Sequence, residues 1–347
     1  MMRAVVLRDS ALTVENRPMP EPGSGDVLIQ TRYCGICGSD LHLAKHSAEI
    51  AKIGEELGAP PQDLSRGMVL GHEFIGEIVG FGADTAQALS VGDRVVSVPF
   101  LLRDGAPMSI GASLDVSGAY AEYFLASEAL LIKVPDAVPD EAAALVEPLA
   151  IAVHAVAKSP LSGDSHAAVV MGCGPIGLAV AAVLKAHGVS TIIASDFSPK
   201  RRELATAMGA TLTLDPRERP AFAAVAEAAP GKPVAVFDCT GAKGVLARTV
   251  KEAPQGAHIT VAGIAPGEET FSPMIAIAKE IGLQFVVYYT PEEFAEALAM
   301  IAEGKLNWQP LVTGKISLDE VAAAFVALED PEVHAKVLID PRRPATA

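Results

Sequence analysis

Two groups of residues in this chain have the types and spacing that chemistry requires. The first is Cys34-Gly-Ile-Cys37-Gly-Ser39-Asp40-Leu-His42, followed by Gly71-His72-Glu73 and, further on, by Glu147 within LVEPLA. Thiolate, imidazole and carboxylate are the ligands that zinc takes, and a catalytic zinc site uses three of them while a fourth position stays open. Each piece alone also has an ordinary reading. Cys34 and Cys37 could be a redox pair, half of a zinc knuckle or two buried thiols, and His72 a core histidine satisfied by backbone. The second group is VVMGCGPIG, which sets Gly172, Gly174 and Gly177 in a G-x-G-x-x-G pattern with Pro175 and Ile176 before the last glycine. The first glycine permits a tight turn, the second lets backbone amides approach a pyrophosphate, and the third lets the following helix pack on the strand, its N-terminus facing the anion. Asp196 follows roughly twenty residues later, where a carboxylate can accept hydrogen bonds from both adenosine ribose hydroxyls and would repel a 2′-phosphate. That favours NAD over NADP, with Lys200, Arg201 and Arg202 nearby as the counter-argument. A chance glycine cluster is a serious rival to a lone motif, but strand, glycines, helix, second strand and acid stand here in order.

Such residues need elements to hold them. At 347 residues the chain exceeds what a single core usually serves, so two domains are expected. Half the residues are hydrophobic and 20% charged, so the chain is far from the composition of disordered proteins. The first third reads as short strands between turn residues (RAVVL, DVLIQTRY, FIGEIVGFG, DRVVSV), a barrel-like antiparallel pattern. After a helix over 141–158, apolar strands alternate with amphipathic helices: AAVVM, TIIAS, TLTL, VAVFD and HITVAG. Runs that are buried on both faces and linked by helical crossovers mark a doubly wound parallel sheet. LQFVVYY adds a further strand; helices over 291–302 and 318–328 precede a last strand, AKVLI, expected to return to the first domain. The division is therefore 1–150 for the metal-binding domain, 151–290 for the dinucleotide domain and 291–347 for a returning segment. Segment 44–66 reads as a solvated helix and loop, and the tail PRRPATA as frayed.

A formal charge of −15 disfavours nucleic acid and anionic membrane surfaces as partners, so an anionic cofactor needs local positive potential. The start of the chain lacks the apolar core of a secretory signal, and four cysteines in this length point to thiols or metal ligands in the cytoplasm rather than a disulfide framework. The uncharged stretch 167–184 raises the membrane question, and its glycines and proline answer for a strand, turn and helix instead.

Taken together these motifs resemble the zinc-dependent branch of the medium-chain dehydrogenase/reductase family. CGICGSDLH, GHEFIGEIVGFG, VGDRVV, YAEYF, LVEPLA, VMGCGPIG, FDCTG and AFVAL stand in that family's order along nearly the whole chain. The resemblance implies a doubly wound dinucleotide domain beside a β-rich, GroES-like catalytic domain, and a zinc-dependent alcohol dehydrogenase linked to NAD. Cys37 and His72 match catalytic zinc ligands. Glu147 stands where alcohol dehydrogenases often have a cysteine ligand and where polyol and threonine dehydrogenases have glutamate, and Glu73 matches the carboxylate that alternates onto the metal. The resemblance does not rank those two. Asp40 matches the acid that orients a zinc ligand, Ser39 and His42 match the proton relay, and Cys34 matches no ligand. Thr240, Gly263 and Ile264 end later strands, at the carboxyl edge where open α/β sheets seat ligands, and are candidate neighbours of the nicotinamide with plain packing as the rival reading; Arg201 matches a basic position that the family uses near the adenosine ribose. Such a zinc polarises an alcohol oxygen and lowers its pKa, so that the carbon can release hydride; the reverse reaction reduces a ketone or aldehyde.

Departures from the family carry their own expectations. Relatives often bind a structural zinc through four cysteines after the GDRVV strand; residues 97–118 contain none, so one zinc per subunit is expected. Segment 44–66 is longer than usual and either caps the substrate cleft or is a surface insertion. The family's habit of pairing sheet edges implies a homodimer or homotetramer through LQFVVYY. Pro99 and Phe100, with few polar groups around them, lean toward a secondary or hydrophobic alcohol rather than a sugar. The rivals are a zinc-free quinone or enoyl reductase of the same superfamily, which would lack the ligand set, and a non-catalytic NAD-binding protein, which would not need Ser39 and His42. A zinc store or scaffold would not need the glycine turn.

Overall fold

The computed structural model describes residues 1–58, 63–103, 105–265 and 267–344 and divides into two compact units. The first comprises 1–147, 312–330 and 336–347; the second comprises 148–311 and 331–335. The return to the first unit thus begins at Val312, not at 291: helix Pro291–Ala302 buries Phe294, Ala297, Leu298, Met300 and Ile301 and stays with the second unit.

In the second unit six strands form one parallel sheet, ordered Leu212–Leu214, Ile192–Ser195, Ala167–Met171, Val234–Asp238, His258–Val261 and Gly282–Phe285. Every residue of Ala167–Met171 and of Val234–Asp238 is buried, as central strands covered by helices on both faces must be. The chain order reverses between these two strands, at the switch point where open α/β sheets bind ligands beyond their carboxyl ends. The edge strand ends at Phe285, so LQFVVYY is strand only in its first half, and the helix expected over 141–158 is two helices, Asp140–Ala143 and Val146–Ala157.

The first unit is β-rich and mainly antiparallel, as expected of a GroES-like domain. Its larger sheet runs Leu131–Lys133, Arg94–Ser97, Glu73–Phe81, Asp26–Gly35, Lys336–Ile339 and Val312–Ile316, with Tyr123–Ser127 paired to Asp26–Gly35. A smaller sheet joins Ala11–Arg17, Met2–Arg8 and Met68–Val69. Ala11–Arg17 escaped the sequence reading because it is solvent-facing and polar, with no residue fully buried. The cysteine-free segment 97–118 holds a hairpin, Phe100–Arg103 with Ala106–Ser109, anchored by buried Leu101 and Ile110.

Two register facts position the chemistry. Gly35 pairs with Glu73, and Leu338 pairs with Gly35 from the other side, so the returning strand lies one strand away from Glu73. Helix Gly38–Glu56 starts immediately after Cys37, earlier than segment 44–66 suggested, and continues through most of that segment before a 3-10 turn at Leu64–Arg66. Residues 59–62 of that segment, and 345–347 of the tail, lie outside the described residues. Stretch 167–184 is a strand, a turn and a helix, and among the described residues no helix is long and apolar enough to cross a membrane.

Candidate functional site

Three side chains converge in the first unit. A thiol sulfur from Cys37, an imidazole nitrogen from His72 and a carboxylate oxygen from Glu73 all lie within 4.8 Å of one another, a donor set that suits zinc. Cys37 caps the helix that begins at Gly38, and its amide donates to Asp40 Oδ2 at 3.1 Å. His72 and Glu73 sit where the Glu73–Phe81 strand begins, just after Gly71, whose φ of +103° only glycine adopts easily.

Around this group the polar contacts fix orientation. His72 presents Nδ1 to Asp40 Oδ1 at 3.6 Å, and its Nε2 lies 3.5 Å from Ser39 Oγ. Burial alone would lower the His72 pKa, but the negative charge of Asp40, Cys37 and Glu147 carries it well above the usual histidine range. Such a crowd of anions around one imidazole is a pocket that attracts a cation. Burial raises the Asp40 carboxyl despite the opposing pull of His72 and a hydrogen bond from Tyr120. His42, one turn beyond Ser39, has its pKa lowered by burial and then by His46 and Lys45, so near neutral pH its ring is free to accept a proton.

The two glutamates differ in their surroundings. Glu73 is fully buried and both of its oxygens accept from Lys336 Nζ, each at 2.6 Å; the same ammonium donates to the Ile36 carbonyl at 2.9 Å. Glu147, buried at the start of helix Val146–Ala157, lies outside the three-donor group but close enough to raise His72 and Lys336 electrostatically. Lys336 escaped the sequence reading; its signal was a lone lysine in the otherwise apolar AKVLI. Cys34 is buried, with its sulfur 3.7 Å from the Gly35 carbonyl and its pKa pushed well up by burial, in keeping with a structural thiol.

The glycine turn in the second unit has the shape its sequence implied. Gly172 has φ +84°, and a Cβ there would sit 2.9 Å from Thr240 Cγ2; a Cβ on Gly177 would run into the Gly172 carbonyl. Gly174 caps helix Pro175–Ala186 without a side-chain hydrogen bond, leaving the amides of its first turn, including that of Ile176, for an anion. Arg201 Nη1 lies 3.8 Å from where a Gly174 Cβ would be, and its buried Nε has no hydrogen-bond partner, so a cation stands beside this turn in an acidic protein. Asp196 Oδ2 accepts from the Cys173 amide at 2.7 Å and Oδ1 from the Ser198 amide at 2.8 Å. Its carboxylate thus braces the turn as well as ending the second strand. Arg202 is committed to the Asp196 and Phe197 carbonyls and to Asp215, and Lys200 pairs with Glu203. Thr240 binds Asp238 and Gly263 packs on the Thr240–Gly241 backbone, with Ile264 exposed beside them.

Comparison with known proteins fits this geometry. Residues 23–136 match the alcohol dehydrogenase GroES-like domain and residues 175–303 the zinc-binding dehydrogenase domain. The (R,R)-butanediol dehydrogenase of Bacillus subtilis is 32% identical over 95% of this chain and 96% of its own length. The chain belongs to the zinc-dependent medium-chain dehydrogenase/reductase family. Its structure superposes on the crystal structure of the Bacillus subtilis 2R,3R-butanediol dehydrogenase with a TM-score of 0.84, covering 99% of this chain and 100% of that one. Sorbitol dehydrogenase of Gallus gallus is 30% identical over 93% of this chain and 92% of its own. A protein described as a zinc-binding dehydrogenase, from Sinorhizobium meliloti 1021 and bound to NADP, is 27% identical with a TM-score of 0.83, over 98% and 99% of the two chains. The protein is an oxidoreductase of alcohol groups that works with zinc and a nicotinamide dinucleotide.

Proposed function

We propose that this enzyme oxidises a small secondary alcohol with NAD and reduces the matching ketone in reverse, the names of the relatives favouring a diol or polyol over the hydrophobic alcohol toward which Pro99 and Phe100 lean. The observation that carries the reading is the convergence of Cys37, His72 and Glu73 with Asp40 behind the imidazole. The relatives are named for butanediol and sorbitol, both of which carry secondary hydroxyls. Asp196 supports NAD, because a 2′-phosphate would meet its charge, whereas Arg202 and Lys200 are already paired.

In this reading Cys37, His72 and one of the two glutamates would hold one zinc: Glu73 lies within reach of both other donors but is paired with Lys336, and Glu147 stands outside the three-donor group while still acting on His72. When bound, the metal supplies a Lewis acid that favours the deprotonated alcohol. The chain's own groups do the rest. Asp40 holds His72 with Nε2 toward the site, and Ser39 would accept the alcohol's proton while giving up its own toward His42, neutral and half-buried, on the way to solvent. Gly172, Gly174, Pro175, Ile176 and Gly177 would cradle the pyrophosphate with Arg201, Asp196 would take the ribose, and Thr240, Gly263 and Ile264 would line the nicotinamide end.

The test is a panel of butanediol stereoisomers, sorbitol, L-threonine, primary alcohols and 2-butanol, followed by coenzyme absorbance with NAD and NADP in parallel. Secondary hydroxyls with NAD should give the highest kcat/KM, and metal analysis should find one zinc per chain. Preference for primary alcohols, or for NADP, overturns the corresponding part.

We further propose cytoplasmic residence, supported by four unpaired cysteines, and a homodimer or homotetramer built on the Gly282–Phe285 edge. Phe285, Val287 and Tyr288 are exposed there at 60%, 69% and 53%, an apolar edge that water does not stabilise. Light scattering at micromolar concentration should give a multiple of 35.9 kDa, and a monomeric mass rejects the interface.

A further inference from the structure

We infer that Tyr120 is a positioning residue of the metal site, with its phenol hydroxyl holding Asp40 at the angle that serves His72; this rests on the zinc reading above. Asp40 is 3% exposed, and its carboxylate faces three groups. Oδ1 faces His72 Nδ1 at 3.6 Å, while Oδ2 accepts from the Cys37 amide at 3.1 Å and from Tyr120 Oη at 2.6 Å. Rotation about a carboxylate's last torsion is soft, so one amide leaves the Oδ1 direction loosely defined. A second donor on Oδ2 fixes it. The tyrosine hydroxyl is that donor, the shorter of the two, and it comes from a ring with no exposed surface.

Tyr120 also fixes the other side of the site. Its amide donates to the Leu70 carbonyl at 2.9 Å, and the amide of Ala119 to the Gly71 carbonyl at 2.9 Å, so residues 119–120 set the backbone that leads into His72. A Cβ on Gly71 would collide with the tyrosine ring and come within 2.8 Å of the Tyr120 nitrogen. One residue therefore spans both donor-bearing segments: the helix start with Cys37 and Asp40 through its hydroxyl, the turn with His72 through its ring and backbone. Neither Tyr120 nor its link to Asp40 can be deduced from the ligand pattern, because 80 residues separate the partners.

Tyr120→Phe removes the hydroxyl and keeps the ring with its edge contact to Phe325. Loss of a group that orients a metal ligand typically weakens metal binding about 10–100-fold, and Tyr120 acts one step further out, through Asp40, which sets the low end of that range as the expected loss. Zinc affinity of the purified full chain, measured by chelator competition, should fall by about tenfold, and the visible absorption of the cobalt-substituted protein should shift. The melting temperature of the metal-free variant should stay near that of the metal-free wild type, while the rise on adding zinc should shrink. Wild-type affinity with an unchanged cobalt spectrum overturns the inference and leaves the zinc reading standing; equal loss of stability in metal-free and loaded forms also overturns it, as a packing role. A wild-type chain that takes up no zinc overturns both. If Tyr120→Phe does not fold, 3-fluorotyrosine placed at position 120 keeps the ring and makes its hydroxyl a stronger donor to Asp40. Zinc affinity and the cobalt spectrum should then shift from wild type, and unaltered values of both reject the positioning role.

Discussion

Replacing His72 with alanine is expected to strip the protein of zinc and to lower kcat/KM for every alcohol by about a thousandfold or more. The magnitude follows from what the ion contributes: several kcal/mol of charge stabilisation, at about 1.4 kcal/mol per decade of rate. Cys37, Glu73 and Glu147 remain in the variant, but they leave sulfur and carboxylates without the neutral nitrogen between them. The same substitution should alter how the metal-free protein responds to pH. In the wild type the folded His72 pKa stands well above the ordinary value of about 6.5. A folded pKa above the unfolded one means that the native state binds more protons, so this contribution to stability is complete below about pH 6.5 and is lost as pH climbs through the raised value. Zinc needs the neutral ring, so metal affinity should rise over the same interval. Chelator-treated wild type should therefore lose stability as pH rises from about 6.5 through the raised value while the loaded form gains on it, and His72→Ala should flatten both trends. A His72→Ala protein that still carries one zinc per chain would remove the imidazole from the ligand set.

What could be read from the sequence was local. The glycine turn, the acid that ends the next strand and the GHE triplet are each written within a few dozen residues, and the physics that selects them acts at short range: φ +84° at Gly172, an uncapped helix start at Gly174, a strand beginning at Glu73. The parallel sheet was legible for a related reason, since strands such as Ala167–Met171 are buried on both faces and must be apolar throughout. The contacts that decide orientation were not legible. Tyr120 reaches Asp40, and Lys336 reaches Glu73 across 263 residues, through strand registers that no periodicity reports. The helix start was missed because Gly38 and Ser39 look like loop; Asp40, bonding back to the Cys37 amide, turns that segment into a helix terminus. The return to the first unit was drawn too early for a comparable reason. Helix Pro291–Ala302 has the same amphipathic pattern whichever unit receives it, and only its buried face decides.

Lys336→Met should cost about 3–5 kcal/mol in the metal-free protein, because it strands a buried carboxylate. Glu73 has no exposed surface, both oxygens rely on the one ammonium, and a Cβ on Gly35 would collide with this carboxylate, so the paired strand leaves no room for a replacement donor. Neutralising the partner tests whether charge rather than packing is lost: Lys336→Met combined with Glu73→Gln should recover most of the deficit in denaturant unfolding, since no ion remains buried. Metal adds a second axis. Freed from Lys336, Glu73 is a carboxylate within 4.8 Å of the donors on Cys37 and His72, so zinc would become its cation. The zinc-loaded Lys336→Met protein should therefore lose much less stability than the metal-free one, bind zinc more tightly and turn over more slowly, because a carboxylate fixed on the metal competes with the alcohol for the open position. If loaded and metal-free forms lose the same free energy, Glu73 has no access to the ion and the lysine serves the fold alone; if neither loses any, the ion pair contributes nothing and the strand register by itself holds the returning segment.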